Sequence, residues 1–406
     1  MMHKRKKLLQ INSVVNIGST GRITEEIGQI SIKNGWESYI AYAKGDRHSK
    51  SRLIKIGSDL DLKLHGLKTR LLDQHGLGSR SATSKLVSTI RKLKPDVIHL
   101  HNIHGYYINI DILFNFLKDT DIPVVWTLYD CWAFTGHCAY FDMANCNRWE
   151  KGCYNCPQKS SYPTSWLVDN SENNYNLKRK LFNLPEKMTI VVHSKWLEDT
   201  VRRSFLNNYP IKRINNGINT SIFKPKNTSI LKTKLKIKNR FVILGVANRW
   251  SKRKGFEDFV ELSRLLKDDE VIVLDGVEEK QKSKLPSNII VHKKAKTVDE
   301  LAVLYSLADV YINPTHEDNF PTTNLEAMAC GTPVITYNSG GSPEAVDLNT
   351  GMVVEKGDIE GLARSISVLK EKGKQHYYYN CIDRAKSKFN YLDRYNDYIT
   401  FFDKLV

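Results

Sequence analysis

Short buried-strand patterns alternate with amphipathic helix patterns along this chain, and the alternation runs twice. In the first run "KLLQINSVV" reads as a buried strand, "NIGSTGR" breaks it, and "ITEEIGQISIKNG" carries helical spacing that ends at Gly35. "ESYIAYA", "PDVIHLH" and "IPVVWTLYD" are further strands, and "SKLVSTIRKLK" and "IDILFNFLKDT" are helices between them. Such alternation predicts a parallel sheet covered on both faces, because parallel strands need a crossover, and that crossover is usually a helix. The stretch 214–240, "INNGINTSIFKPKNTSILKTKLKIKNR", is polar, basic and broken by Asn-Gly and Pro, and it is the best domain boundary. The pattern then restarts with "FVILGVA", "GFEDFVELSRLL", "VIVLDG", "VDELAVLYSLA", "DVYINP" and "PVITY", and the chain closes on helical sequence. The expectation is an α/β protein of two doubly wound, Rossmann-like domains: an N-terminal one over 1–225 and a C-terminal one over 226–388. A final helix over 389–406 would cross back to the first domain. Loops at the strand ends of such sheets carry ligand sites, and two domains facing each other would share one cleft.

A chain of 406 residues is too long for one ordinary core, which agrees with two domains. The net charge of +17 is carried partly by runs at "HKRKK", "KTKLKIKNR" and "SKRKG". Solvated faces account for such runs, and so does an anionic partner: nucleic acid, an anionic membrane or a phosphorylated substrate. No RNA- or DNA-binding motif accompanies the charge, so no nucleic-acid partner is expected. No stretch approaches a membrane span, and Gln and Asn interrupt the first apolar run, which reads as a strand rather than a signal peptide. A cytoplasmic protein, or one peripheral to the inner face of the membrane, is expected.

The segment "HEDNFPTTNLEAMACGTPV" begins at His316 and turns from loop into helix. Its acids Glu317 and Asp318 precede the helix, and Glu326 lies in its first turns. A helix start attracts anions, so acids there need a reason. One reason is local: Thr323 and Glu326 have capping-box spacing. The other is a ligand with hydroxyls, which carboxylates accept well. Arg249 and Lys254 stand in a loop after a strand, as a solvated basic turn or as a clamp for a diphosphate. Gly18, Gly21 and Arg22 follow the first strand, as tight strand–helix packing or as part of a phosphate loop. His99, His101 and His104 sit near a strand end without a strong zinc spacing, so hydrogen bonding is the expected role. Cys138, Cys146, Cys153 and Cys156 end in one C-x-x-C; they are candidates for a closed structural zinc site or a buried thiol cluster. Asp59-x-Asp61 resembles a metal-binding acid pair but is not at a strand end.

The pieces "INNGINTSIFKP", "VANRWSKRKGF", "DVYINPTHEDNFPTTNLEAMACGTPVI" and "NSGGSPEAV" together resemble the family-four retaining glycosyltransferases, which have the GT-B fold. The stretch "WTLYDCWAFTGHCAYF…CNRWEKGCYNCPQ" is similar to a subgroup found among bacterial exopolysaccharide and capsule transferases. The resemblance implies a hexosyltransferase that takes a UDP- or GDP-sugar and passes the sugar to a glycan or lipid-linked glycan, with no cofactor needed for catalysis. It places Asp318 and Glu326 as the family's acid pair, with Asp318 in place of the usual Glu and Glu317 one residue out of step. It implies that Glu326 binds the ribose and that the phosphates lie near the N–H groups of Asn324 and Leu325. Arg249 and Lys254 would hold the diphosphate, with Gly21 and Arg22 beneath it. His101, His104, Tyr129 and Asp130 would lie on the acceptor or sugar side, with Tyr129 standing where many relatives carry a histidine. The rival readings are another GT-B enzyme such as a phosphorylase or a sugar-nucleotide epimerase, a nucleic-acid-binding protein, and a GT-B scaffold without turnover.

Overall fold

The computed structural model describes residues 5–45, 48–283 and 285–406. The basic run at 3–7 therefore lies partly outside the described residues. The chain divides into two compact units, 1–215 with 394–406, and 216–393.

The N-terminal unit is built on seven strands: β1 (Lys7–Ile11), β2 (Glu37–Tyr42), β3 (Arg52–Lys55), β4 (Val97–Leu100), β5 (Val124–Leu128), β6 (Met188–Val192) and β7 (Ile211–Arg213). Their order in the sheet is β3-β2-β1-β4-β5-β6-β7, every pairing parallel. The order reverses between β1 and β4. Central strands such as β4 and β5 are buried along their whole length, which is why they read as unbroken apolar runs rather than as alternating ones. β1 ends at Ile11, short of the run that suggested it. Asn12 ends it: its side chain donates to the Val14 carbonyl at 2.9 Å and to Thr24 Oγ1 at 3.0 Å, and its Oδ1 accepts from the Asn102 N–H. Phe114, Trp126 and Phe182 stack in the core with centroids 4.5 to 5.5 Å apart. Residues 394–406 belong to this unit. Phe402 packs edge-on to Trp36 at 6.2 Å, and the Tyr398 hydroxyl lies 3.2 Å from Thr127 Oγ1.

The C-terminal unit repeats the plan with β8 (Phe241–Val246), β9 (Glu270–Asp275), β10 (Ile289–His292), β11 (Val310–Asn313), β12 (Val334–Tyr337) and β13 (Gly351–Val354). The order is β10-β9-β8-β11-β12-β13, again all parallel, reversing between β8 and β11. Residues 216–240, polar and basic as they are, belong to this unit, because Ile218, Phe223 and Ile237 are buried in its core. Among the described residues no helix is long and apolar enough to cross a membrane. The acids Asp59 and Asp61 lie in the first turn of a helix, where Ser58 and Asp61 form a reciprocal capping box. Their motif is a helix start.

Gly276 ends β9 at φ +87, and a Cβ there would stand 1.8 Å from the Ala247 carbonyl oxygen. Neither strained φ nor that backbone clash is relieved by a rotamer change. Gly276→Ala is therefore expected to destabilise the C-terminal unit by about 2–4 kcal/mol, read as a fall in denaturation midpoint by circular dichroism. An unchanged midpoint would contradict the close approach of β9 to the end of β8.

Candidate functional site

Ligands of doubly wound sheets bind beyond the carboxyl ends of the strands where the order reverses. In the C-terminal unit those are the loops after β8 and β11, and the structure brings them together. The Arg253 guanidinium donates to the Glu317 carbonyl at 2.7 Å, and the His316 N–H donates to the Arg253 carbonyl at 2.8 Å. The result is that Lys254 Nζ reaches Asp318 Oδ2 at 2.5 Å, with both side chains mostly shielded. Burial lowers the Lys254 pKa below its ordinary value, and the adjacent Asp318 carboxylate works against that shift. A third loop, after β12, holds the acid from behind. The Gly341 N–H donates to the Asp318 carbonyl at 3.0 Å. Gly340, at φ +56, passes so close that a Cβ would lie 1.9 Å from the same oxygen.

The helix Thr322–Ala329 starts directly after this loop, with Pro321 as its N-cap and no side-chain cap. The capping box that Thr323 and Glu326 could have made is not formed. Glu326 is buried instead and accepts the Tyr305 hydroxyl at 2.9 Å. Asn324 is the third helical residue, and its side chain is fully used. It accepts from Asn313 Nδ2 at 2.8 Å and donates to the carbonyl and hydroxyl of Ser342. Its N–H lies 3.3 Å from the Pro321 carbonyl. The donors that a helix start leaves for an anion lie earlier, at Thr322 and Thr323. Leu325 is buried in the core, and the Glu317 side chain is also buried. Arg249 does not join Lys254 at Asp318. It is largely exposed and pairs with Glu278 at 3.1 Å.

In the N-terminal unit the matching loops follow β1 and β4. Gly21 lies in the first turns of the helix Gly18–Lys33, and its carbonyl accepts the Asn16 N–H at 3.1 Å. Arg22 is half-buried beside it. His101, at the end of β4, is buried with both ring nitrogens engaged. Nε2 lies 3.0 Å from Gln10 Oε1 and Nδ1 lies 2.9 Å from the Tyr129 hydroxyl. His99 pairs with Thr127 Oγ1 at 2.7 Å. His104 bridges two groups: Nε2 stands 3.0 Å from Asp130 Oδ2, and Nδ1 stands 3.0 Å from the Tyr162 hydroxyl. Burial opposes ionisation of Asp130, but His104, the Trp132 N–H and Lys178 outweigh it and hold the carboxyl below its usual range. Burial pushes His101 down to about 3 and His65 and His193 to about 4, with His75 and His99 also well below 6.5.

The four cysteines line one pocket with Phe141 and Trp149. Cys138 and Cys156 are hydrogen-bonded, which pushes the Cys138 thiol up and draws Cys156 down to about 7. Among the described residues no group of three or more His, Cys, Asp and Glu side chains is placed to hold a metal ion. No role is derived through a metal there.

Residues without a motif complete the sites. His193 caps β6, bonds the Ile214 carbonyl at 2.8 Å and lies 5.0 Å from the Tyr129 ring. Lys178 is buried over Trp132 and bonds the Trp132 and Thr135 carbonyls. The "VVHS" strand end could have pointed to His193; nothing in "NLKRKLF" distinguishes Lys178 from its neighbours.

Two family models match this chain. One, "Glycosyltransferase Family 4", covers residues 21–222, and the other, "Glycosyl transferases group 1", covers residues 227–388. The chain belongs to the family-four glycosyltransferases. It is similar to the putative colanic acid biosynthesis glycosyl transferase WcaC of Escherichia coli K12, at 24% identity over 87% of this chain and 88% of that one. Among solved structures, sucrose-phosphate synthase of Thermosynechococcus elongatus superposes with a TM-score of 0.74, 18% identity and 99% of both chains covered. HepE of Anabaena in complex with UDP gives 0.69 at 15% identity, with 98% of this chain and 100% of that chain covered. The two parallel-sheet units and these likenesses make this a glycosyltransferase of GT-B fold.

The buried histidines have a consequence for stability. Their folded pKa values lie below the ordinary 6.5, so the unfolded chain binds more protons as the solution is acidified. The stability they support is complete above pH 6.5 and is lost as pH falls toward about 4. Each such histidine costs about 2 kcal/mol at pH 5 relative to neutral pH. Six of the seven tryptophans, all but Trp250, lie in the N-terminal unit. Tryptophan emission is expected to report a markedly lower melting temperature at pH 5 than at pH 7.5; equal values would mean these imidazoles are not held neutral.

Proposed function

We propose that this glycosyltransferase moves a hexosyl unit from UDP-sugar to an acceptor hydroxyl on a lipid-linked glycan, with retention of configuration, in building a bacterial surface polysaccharide. The observation that carries the reading is the Lys254–Asp318 pair at the reversal point of the C-terminal sheet, beside the start of the helix Thr322–Ala329. Lys254 and the helix-start N–H groups form the diphosphate site, and Arg249, exposed and paired with Glu278, turns to it when the donor is bound. In this reading Glu326 keeps the ribose-binding role that the family resemblance implies, and Asp318 meets the transferred sugar. As the bond from the anomeric carbon to the phosphate oxygen breaks, negative charge grows on the leaving diphosphate, and a fixed cation with helix dipoles stabilises it more than the ground state. The acceptor oxygen bonds to the anomeric carbon on the same face, and its proton leaves on the departing phosphate. His104, Asp130 and Tyr162 line the acceptor side of the N-terminal unit. The likeness to a putative colanic acid enzyme supports a surface glycan as acceptor, and that to a UDP-bound structure supports UDP as carrier. Such an acceptor sits at the inner face of the cell membrane, so the protein works as a peripheral enzyme there, reached from the cytoplasm.

Titration calorimetry with UDP, GDP and ADP, without divalent metal, tests the donor site. UDP is expected to bind, and Lys254→Ala to weaken it roughly 10- to 100-fold, the range for losing a charge-assisted contact. A folded protein that binds no diphosphate would overturn the assignment. With donor and acceptor in hand, Asp318→Asn is expected to lower kcat more than it raises KM, and NMR of the product should show the donor's anomeric configuration kept. An inverted product would end the same-face mechanism.

A further inference from the structure

The helix Asp59–Leu72 has its polarity reversed. Its face toward the protein is carried by Leu62, His65, Gly66 and Thr69. Its face toward solvent is carried by leucines at helical spacing: Leu60 is 64% exposed, Leu64 57% and Leu67 46%. The inward face is not held by apolar burial alone. His65 Nε2 accepts the N–H groups of Gly76 and Gly78 at 3.1 and 3.2 Å, and Nδ1 lies 3.0 Å from Ser79 Oγ. These bonds set the rotation of the helix about its axis and leave the leucines outward. A surface helix of a soluble protein normally does the opposite.

The apolar surface continues past the helix. The Trp166 N–H donates to the Arg70 carbonyl at 2.6 Å, which ties the loop that carries Trp166, Leu167 and Val168 to the helix's last turns. Those three are also exposed, Trp166 at 59% and Leu167 at 69%. Basic groups are interleaved with them. Lys63 is exposed between Leu60 and Leu64, Lys68 and Arg70 flank Leu67, and the Arg70 guanidinium lies over the Trp166 ring at 5.6 Å. Within the helix acids are confined to the first turn, where Asp61 is occupied by the Ser58 cap, and Asp169, next to Val168 in the loop, accepts the N–H groups of Cys156 and Ser171.

We propose that this face, the outward leucines of Asp59–Leu72 with the loop at Trp166, docks the N-terminal unit on a lipid surface that contains anionic phospholipids. Leucine and tryptophan side chains at helical spacing, rimmed by Lys and Arg, match what an interfacial helix needs: apolar groups to enter the headgroup boundary and cations to meet the phosphates. A second copy of the chain fits less well, because a two-fold contact through this patch sets Lys63, Lys68 and Arg70 against their own copies. The inference rests on the membrane-side part of the proposed function and not on the donor site.

The test is flotation of the full chain with vesicles of phosphatidylcholine alone and of phosphatidylcholine with phosphatidylglycerol. The protein is expected to float with the anionic vesicles, less so as salt is raised. Leu64→Ser with Leu67→Ser is expected to reduce the bound fraction roughly tenfold, and Trp166→Ser to act in the same direction. All these positions are exposed, so circular dichroism should show an unchanged fold, and calorimetric UDP binding by the same preparations should be unaltered. Wild-type protein that stays unbound with both vesicles, or variants that float as well as wild type, would overturn the proposal. So would sedimentation showing a dimer that the leucine variants convert to monomer without any vesicle binding, which would give this face to a second copy. Loss of UDP binding with flotation intact would remove the donor reading and leave this one standing.

Discussion

The position of one carbonyl oxygen, that of Asp318, organises the C-terminal unit. It is held by the Gly341 N–H and crowded by Gly340, so the loop after β12 presses on the loop after β11. From the other side Arg253 takes the neighbouring Glu317 carbonyl, so the loop after β8 grips the same turn. Three consecutive neighbours in the sheet, β8, β11 and β12, therefore send their loops to one place. That convergence follows from parallel pairing: every strand points the same way, so every following loop emerges at the same edge. The Asp318 carboxylate meets Lys254 because the backbone of both is already committed. A side-chain pair built on mobile loops would lose more rotamer freedom on forming and would be a weaker platform for a charged ligand.

This arrangement explains how acids can stand beside an anion site. Lys254 is neutralised by Asp318, so neither charge is left bare in a partly shielded setting. In the proposed donor site a diphosphate would give Lys254 a second anionic partner and leave the carboxylate to a hydroxyl donor. Glu326 has a different solution. It is buried and accepts the hydroxyl of Tyr305, a neutral donor.

Much of this was legible before the structure. The twofold run of strand and helix patterns reports directly on parallel sheets, since strands buried on both faces must be continuously apolar, and β4, β5, β9 and β11 are buried along their length. Lys254 and Asp318 were legible as a motif. Their contact was not, because it depends on the Arg253 guanidinium reaching the Glu317 carbonyl, 64 residues away in sequence. Thr323 and Glu326 had capping-box spacing, yet Pro321 became the cap and Glu326 turned inward; spacing cannot say which face of a short helix is buried. Arg249 and Lys254 read alike in one basic loop, and only the fold sends one to Glu278 and the other to Asp318. Lys178 is the sharpest case. Arg179 and Lys180 beside it are exposed, and burial over Trp132 brings Lys178 down to about 7. The helix Asp59–Leu72 is the opposite case, since Leu60, Leu64 and Leu67 face solvent while His65 is buried.

Tyr129, where the family resemblance implies a histidine, also has a physical account. Gln10 offers a carbonyl oxygen to His101 Nε2, so that nitrogen carries the proton and Nδ1 is the acceptor for the Tyr129 hydroxyl. Burial holds His101 at about 3 and drives the Tyr129 phenol well above 10. Gln10, His101 and Tyr129 therefore form a chain that is neutral around pH 7. Such a chain can fix the direction of a hydroxyl, but it can neither accept a proton from an attacking alcohol nor supply one to a leaving group at neutral pH. A transfer that sends the acceptor's proton out on the departing phosphate asks nothing more of it. Within the N-terminal unit this neutral chain lies apart from the charged contact of Asp130 with His104 at 3.0 Å, so orientation and charge are supplied by different residues.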